Sequence, residues 1–217
     1  MNDYVQTEKT RLRRQHERGH YDRETVHAIL DAGMICHLAY VIDGTPYCTP
    51  TIYWRDGEYV YWHGSTASQM LRHQQSGAPV CFTVSHFDGL VLARSGMHHS
   101  VNYRSVMLFG TPEPVTDEAE ATRHLERFIE GLFPGRWAEL REMTAQELKA
   151  TRMLSMKIDE VSAKVRAGGP VDDEEDYALP IWAGVLPLQT VVGAPEADPR
   201  NLDGVEEPAY LASFRLD

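Results

Sequence analysis

Apolar positions recur along this chain with two spacings, and each spacing marks a different kind of element. After Asp22, the residues Val26, Ile29 and Leu30 form one stripe of a helix that runs to about residue 32 and stops at Gly33. Residues 34–42, 47–54 and 58–63 are apolar or aromatic runs separated by Asp43-Gly44 and Asp56-Gly57. Such dipeptides favour tight hairpin turns, so the three runs predict an antiparallel meander. A helix over residues 66–75 follows, and Gly77-Ala78-Pro79 breaks it before a strand over 80–86. Asp88-Gly89 predicts another turn, with strands over 90–94 and 100–115 beyond it.

Two helix starts come next. Asp117 with Glu120 and Thr144 with Glu147 have capping-box spacing, and Leu125, Phe128, Ile129 and Leu132 give the first helix an apolar face. Pro134-Gly135 separates the two. Residues 153–166 read as one long strand ending at Gly168-Gly169-Pro170, the acidic run 172–176 as a solvated loop, and residues 185–192 as a short strand. This order predicts a mainly β fold, a small closed antiparallel barrel with flanking helices.

Composition narrows the picture. A chain of 217 residues with 42% apolar residues suits one globular domain. Residues 1–20 lack periodicity and read as a mobile arm or a partner-covering extension, residues 21–192 as the domain, and residues 193–217 as an acidic, Pro-rich tail. No apolar run approaches the roughly 20 residues that cross a bilayer, and the first twenty residues lack the apolar core of a secretory signal. Cys36, Cys48 and Cys81 form no C-x-x-C pair and sit in strand-like apolar contexts, which suits a reducing cytoplasm. A formal net charge of −11 argues against sequence-independent nucleic-acid binding. Neither a nucleic-acid nor a membrane partner is expected.

The candidate chemistry centres on Tyr61 to Met70, where an aromatic strand runs into a hydroxyl-rich helix start. Ser65 is the expected N-cap and Ser68 a second hydroxyl, so free backbone N–H groups and the helix dipole there suit a phosphate. Tyr59, Tyr61 and Trp62 offer a flat apolar wall. A mononucleotide such as FMN needs both halves, although an ordinary capped helix needs neither. Arg104 shares a strand face with Val106 and Leu108, and a guanidinium there requires a partner: Asp88, a phosphate or an electron-rich flavin edge. His63 is the first proton-donor candidate, and His37 reads as structural. His98 and His99 are adjacent, so on an extended chain they face opposite ways and do not chelate one metal; they flank a cofactor entrance or are plain loop residues. Trp182 is either core filling or a lid over a planar cofactor.

The strings His37 to Tyr40, Pro46 to Tyr53, Trp62 to Met70, Asp88 to Arg94, Asn102 to Val106, Ser162 to Lys164 and Trp182 to Pro187 are specific in their order. Together they resemble the pyridoxamine 5′-phosphate oxidase-like FMN-binding split barrels, in the branch related to nitroimidazole-resistance proteins. The likeness spans residues 21–192. It implies a six-stranded antiparallel split β-barrel that pairs as a homodimer, with two FMN sites across the interface. By the same resemblance Thr49, Pro50, Thr51 and Ile52 line the isoalloxazine ring. Trp62, His63, Ser65, Ser68, Gln69 and Met70 hold the ring edge and the phosphate. Tyr103, Arg104 and Ser105 contact the flavin, and Trp182 closes over it. Many members carry an Arg-Lys pair where this chain has Ser68-Gln69-Met70, which makes Arg104 or Lys164 the required cation. The signature of the vitamin B6 oxidases themselves is not recognisable.

The activity implied is that of a cytoplasmic FMN-dependent oxidoreductase reducing a small organic acceptor, nitroreductase-like or related to pyridoxamine-phosphate oxidase, with His63 protonating the product. Two alternatives share the barrel: a non-catalytic flavin- or haem-binding protein for storage, sensing or sequestration, and a deazaflavin-dependent reductase. Histidine-rich composition keeps haem open.

Overall fold

A computed structural model describes residues 3–215. In chain order it contains β1 (Gly19–His20), α1 (Arg23–Asp31), β2 (Ile35–Ile42), β3 (Thr45–Asp56), β4 (Tyr59–Ser65), α2 (Gln69–Gln74), β5 (Val80–Leu92), β6 (Ser100–Gly110), β7 (Glu113–Pro114), α3 (Glu118–Leu132), α4 (Ala145–Ala150), β8 (Thr151–Lys157), β9 (Glu160–Arg166) and β10 (Gly184–Pro187). The strands hydrogen-bond in the order β1-β9-β6-β5-β2-β3-β4-β8-β7, and β10 adds to β5. Every pairing is antiparallel. The sheet curls around one core in which Trp62, Tyr53, Phe82, Leu38 and Leu108 are fully buried. The mainly β split-barrel architecture expected from the sequence is therefore present.

Local chemistry explains the element ends. Asp22 caps α1 by accepting from the Thr25 N–H, and Thr144 with Glu147 forms a complete capping box on α4. α1 closes one end of the barrel, burying Val26, Ile29 and Leu30. Two bonds hold it there: the Tyr53 hydroxyl donates to the Leu30 carbonyl at 2.5 Å, and His86 Nε2 donates to the Ile29 carbonyl at 2.9 Å. Gly33 makes this contact possible, since a Cβ there would meet His86 Cε1 at 2.8 Å.

Several elements differ from the sequence expectation. Asp88-Gly89 is no turn; β5 runs through it, and the register against β6 shifts between Phe87 and Gly89, a β-bulge. Residues 153–166 divide into β8 and β9, cornered where the Ile158 N–H donates to the Glu58 carbonyl. The helix expected over 66–75 begins only at Gln69. Its N-cap is Ser68, whose Oγ accepts from the Leu71 N–H, whereas Ser65 still belongs to β4. Finally, the sheet has ten strands instead of six: seven longer ones, with β8 and β9 formed from the run expected as one strand, and β1, β7 and β10 as short additions of two to four residues.

The N-terminal segment lies on the body. Tyr4 is 5% exposed, its hydroxyl donates to Glu58, and the Arg23 guanidinium stacks over its ring.

Candidate functional site

Strand alternation sorts the site residues onto opposite faces. The register aligns His37 with Pro50 and Thr83, Ile35 with Ile52, Thr83 with Met107, Ser85 with Ser105, and Ser105 with Lys164. These side chains share the outer face of the sheet, opposite Cys36, Leu38, Val84 and Val106 in the core. Among the described residues no helix or strand covers this face, which leaves Ile35 53%, Val41 55%, Phe87 53% and Met107 43% exposed. The outer face of β4 and β8 differs. There α3 lies over Trp54, Tyr61 and Met153 through Leu125 and Phe128.

At the α1 end the open face deepens into a groove of about 960 Å³, lined by Met34, Ile35, Ile52, Phe87, Asp88 and Arg104 among others. Arg104 is the groove's cation. Its Nε and Nη2 bond the Asp88 carboxylate at 3.0 to 3.3 Å, so Asp88 is the protein partner that a half-buried guanidinium requires. These bonds leave Nη1 of the planar fork for a further acceptor. The bulge at Asp88 aims its carboxylate back along the strand toward this guanidinium.

The sequence-predicted residues fall into separate groups. Pro50, Ile52, Ser105 and Lys164 lie together on the open face, with Tyr103 beside Phe87 and Arg104 in the groove. Thr49 and Thr51 are in register with Leu38 and Cys36 and so point to the other side of β3, where Thr49 Oγ1 pairs with the Tyr40 hydroxyl at 3.0 Å. Ser65, Ser68 and Gln69 cluster at the start of α2, and Met70 is buried in the core.

Trp62 requires a correction. It is fully buried and its indole N–H donates to Gln74 Oε1 at 3.0 Å, so it fills the barrel and offers no surface to a ring. The aromatic wall fails because Trp62 and its neighbours Tyr61 and His63 alternate across β4. His63 faces the layer beneath α3, 5.8 Å from the Trp54 ring and 6.5 Å from Phe128. Burial pushes its pKa below the ordinary histidine value, and its Nδ1 is buried without a hydrogen-bond partner. A neutral imidazole in that layer is poorly placed to donate a proton on the open face.

Trp182 is 69% exposed, in the segment leading to β10, with its ring against Gly184. That exposure removes the core-filling reading. The acidic run is also not uniformly solvated. The Asp172 side chain is fully buried, and the Arg94 backbone N–H and Nη1 reach its two oxygens at 2.9 Å each. Burial raises this carboxyl's pKa, but the bonds from Arg94 outweigh it and hold the net value below the usual range. Ligand atoms of His98, Asp172 and Asp176 lie within 4.8 Å of one another, yet Arg94 already occupies both Asp172 oxygens. Sequence reasoning missed Asp172 because four neighbouring acidic residues masked it.

Histidines differ in what they leave available. His27 is bonded to Tyr4, and His86 spends Nε2 on Ile29. His37 stands exposed on the open face, and His99 is exposed with Nδ1 bonded to the Ser95 carbonyl at 2.9 Å. The open apolar face, the cationic groove and these imidazoles fit a planar aromatic cofactor with anionic substituents and, separately, a ligand for a metal in a macrocycle.

Known proteins resemble this chain over most of its length. Residues 22–165 match the family described as pyridoxamine 5′-phosphate oxidase. The flavocytochrome Anf3 from Azotobacter vinelandii is 47% identical, with a TM-score of 0.93 over 97% of this chain and 98% of that one. A FAD- and haem-binding protein from Mycobacterium smegmatis is 37% identical, with a TM-score of 0.86 over 91% of this chain and 97% of that one. A putative 5-nitroimidazole antibiotic resistance protein from Bacteroides thetaiotaomicron is 18% identical over 68% of this chain and 86% of that one, and its TM-score of 0.56 shows a shared fold alone. A search of curated proteins finds no match.

Proposed function

Since this chain belongs to the pyridoxamine 5′-phosphate oxidase family, we propose that it is a homodimeric oxidoreductase that binds a flavin nucleotide and also haem. The observation that carries this reading is the end-to-end likeness to a flavocytochrome, which leaves no segment of that relative without a counterpart long enough to matter. When bound, flavin supplies exchange of one or two electrons and haem supplies one-electron chemistry.

The chain's own residues have definable tasks. Pro50, Ile52 and Ser105 present a shallow, mostly apolar floor to the flavin ring, and a second copy covering Ile35, Val41 and Met107 excludes water from it. Arg104 Nη1 faces an anionic group of the cofactor while Asp88 holds the guanidinium in place. The hydroxyls and N–H groups around Ser65 and Ser68 suit the phosphate, with Lys164 on the open face as a second cation. The reduced cofactors serve a small acceptor. Three free cysteines support a reducing compartment, the cytoplasm, and no helix among the described residues is long and apolar enough to cross a membrane.

Absorbance of the full chain, purified from cells supplied with riboflavin and a haem precursor, tests the reading. It expects flavin bands and a Soret band together, and mass spectrometry of the released flavin separates FMN, implied by the sequence resemblance, from FAD, bound by the mycobacterial relative. A protein that takes up neither chromophore on titration contradicts it.

A further inference from the structure

The sharpest break in the charge pattern lies before the first helix. Residues 9–18 hold five cations, Lys9, Arg11, Arg13, Arg14 and Arg18, against the single acid Glu17, in a chain whose formal net charge is −11. The stretch also precedes the family match, which begins at residue 22. The segment is pinned to the body. The Tyr21 hydroxyl donates to the Thr10 carbonyl at 2.9 Å and accepts from the Leu12 N–H at 3.3 Å, and Thr10 is buried. Lys9 bonds Glu160 at 2.7 Å, and Leu12 packs so closely on Gly19 that a Cβ there would meet Leu12 Cδ1 at 2.7 Å. Gln15, in the left-handed conformation with φ 54°, turns the chain so that His16 returns to the side of Arg11 and Arg13. These bonds fix the backbone and leave the arginine heads uncommitted.

Gln6, Arg11, Leu12, Arg13 and His16 line an open groove of about 610 Å³. Among the described residues Arg11 and the neighbouring Arg14 make no hydrogen bond or ion pair. Arg13 pairs with Glu8, but the two side chains are 79% and 80% exposed, so solvent screens the pair and Arg13 loses little by turning to a better acceptor. Positive charge also gathers beside the groove. Gly19 pairs with Lys164 of β9, and Arg166 on the same strand bonds only neutral oxygens, Asn102 Oδ1 and the Gly168 and Gly169 carbonyls. Burial first, and then the nearby Arg18, lower the Arg166 pKa, as expected for like charges held close together.

Guanidinium forks and an imidazole on one groove are a donor set suited to phosphate oxygens. The acidic remainder of the chain decides how large the anion is. A long polyanion would run off the patch onto repelling surface, whereas a compact one stays within the Debye length of about 8 Å, where the local charge prevails.

We propose that this groove binds a small anion bearing two or more phosphate groups, such as a nucleoside di- or triphosphate, with Arg11 and Arg13 as its main ligands and His16 as a further donor. The groove shares no residue with the one around Arg104, and the assignment does not rest on the flavin reading. Titration calorimetry of the full chain, with and without added FMN, tests it with inorganic tripolyphosphate as the probe and with monophosphate and a short DNA duplex as comparisons. Tripolyphosphate is expected to bind saturably, about 10-fold or more tighter than monophosphate, with an affinity that FMN leaves unchanged. Arg11→Ala combined with Arg13→Ala weakens it by about 10-fold or more, the scale of losing bonds between charged groups, while Lys157→Ala, at an exposed lysine outside the groove, keeps the wild-type value. Circular dichroism of each variant checks that the fold is retained. Wild-type tripolyphosphate affinity in the double variant, displacement of tripolyphosphate by FMN, no preference over monophosphate, or tighter binding of the duplex overturns the assignment. A wild type that takes up no tripolyphosphate overturns it as well.

Discussion

Trp62, Arg104 and His63 were drawn toward one cofactor by their sequence neighbourhood, and their surroundings give each a different part. Trp62 spends its indole N–H on Gln74 inside the barrel. Trp62→Ala is expected to cost about 3–5 kcal/mol of stability in urea unfolding, as for other large core truncations. Trp62→Phe is expected to leave flavin affinity unchanged. Arg104 has a free arm facing the groove, so Arg104→Ala is expected to weaken flavin binding by about 1.5–3 kcal/mol in a fluorescence titration, the usual scale for a bond to a charged group. An unaltered dissociation constant removes Arg104 from the site. His63 bears on pH. Its folded pKa is depressed by burial, and that of His27 is depressed by burial and then by Arg55. Below the ordinary value of about 6.5 the unfolded chain binds protons that the folded chain does not. Stability is therefore full above that pH and falls as pH drops toward the folded values. Urea midpoints at neutral and mildly acidic pH are expected to show this decline, and His63→Phe to flatten part of it.

At the level of elements, the strand that matters most is β5, which the sequence divides and the structure does not. Gly89 is the reason. A Cβ there would meet the Leu186 carbonyl oxygen at 2.9 Å, so the glycine admits β10 alongside β5. Gly89→Ala is expected to loosen β10 and the Trp182 segment, seen as faster limited proteolysis across residues 177–187, with the barrel core still protected. Resistance equal to that of wild type contradicts this role. The same dipeptide, Asp-Gly, makes a true turn at Asp43-Gly44, where both residues have positive φ, and a bulge at Asp88-Gly89. Local composition does not distinguish the two, because the difference lies in what pairs with the strand on either side. Helix caps at Asp22, Asp117 and Thr144 were legible since a cap is a local bond. The faces of β3 and β4 were not, because strings quoted from a likeness carry no parity. Thr49 and Thr51 point opposite to Pro50 and Ile52, and Trp62 opposite to His63. Asp172 was hidden for a third reason: its partner Arg94 is 78 residues away.

At the scale of the molecule, the unusual feature is a barrel with one sheet face left bare. α1 closes one end and α3 covers β4 and β8, yet Ile35, Val41, Phe87 and Met107 stay open beside the Arg104 groove. A face this apolar suits a second copy that completes the flavin site. Met107→Asp with Ile35→Asp is expected to yield single chains with weakened flavin binding. The measurement that bears most directly on the account is sedimentation velocity of the wild-type protein loaded with flavin and hemin, recorded at protein, flavin and Soret wavelengths. The account predicts that all three signals travel together as a species of two chains. Chromophores that stay behind with the free cofactors, or a protein boundary of single chains carrying them, contradict it.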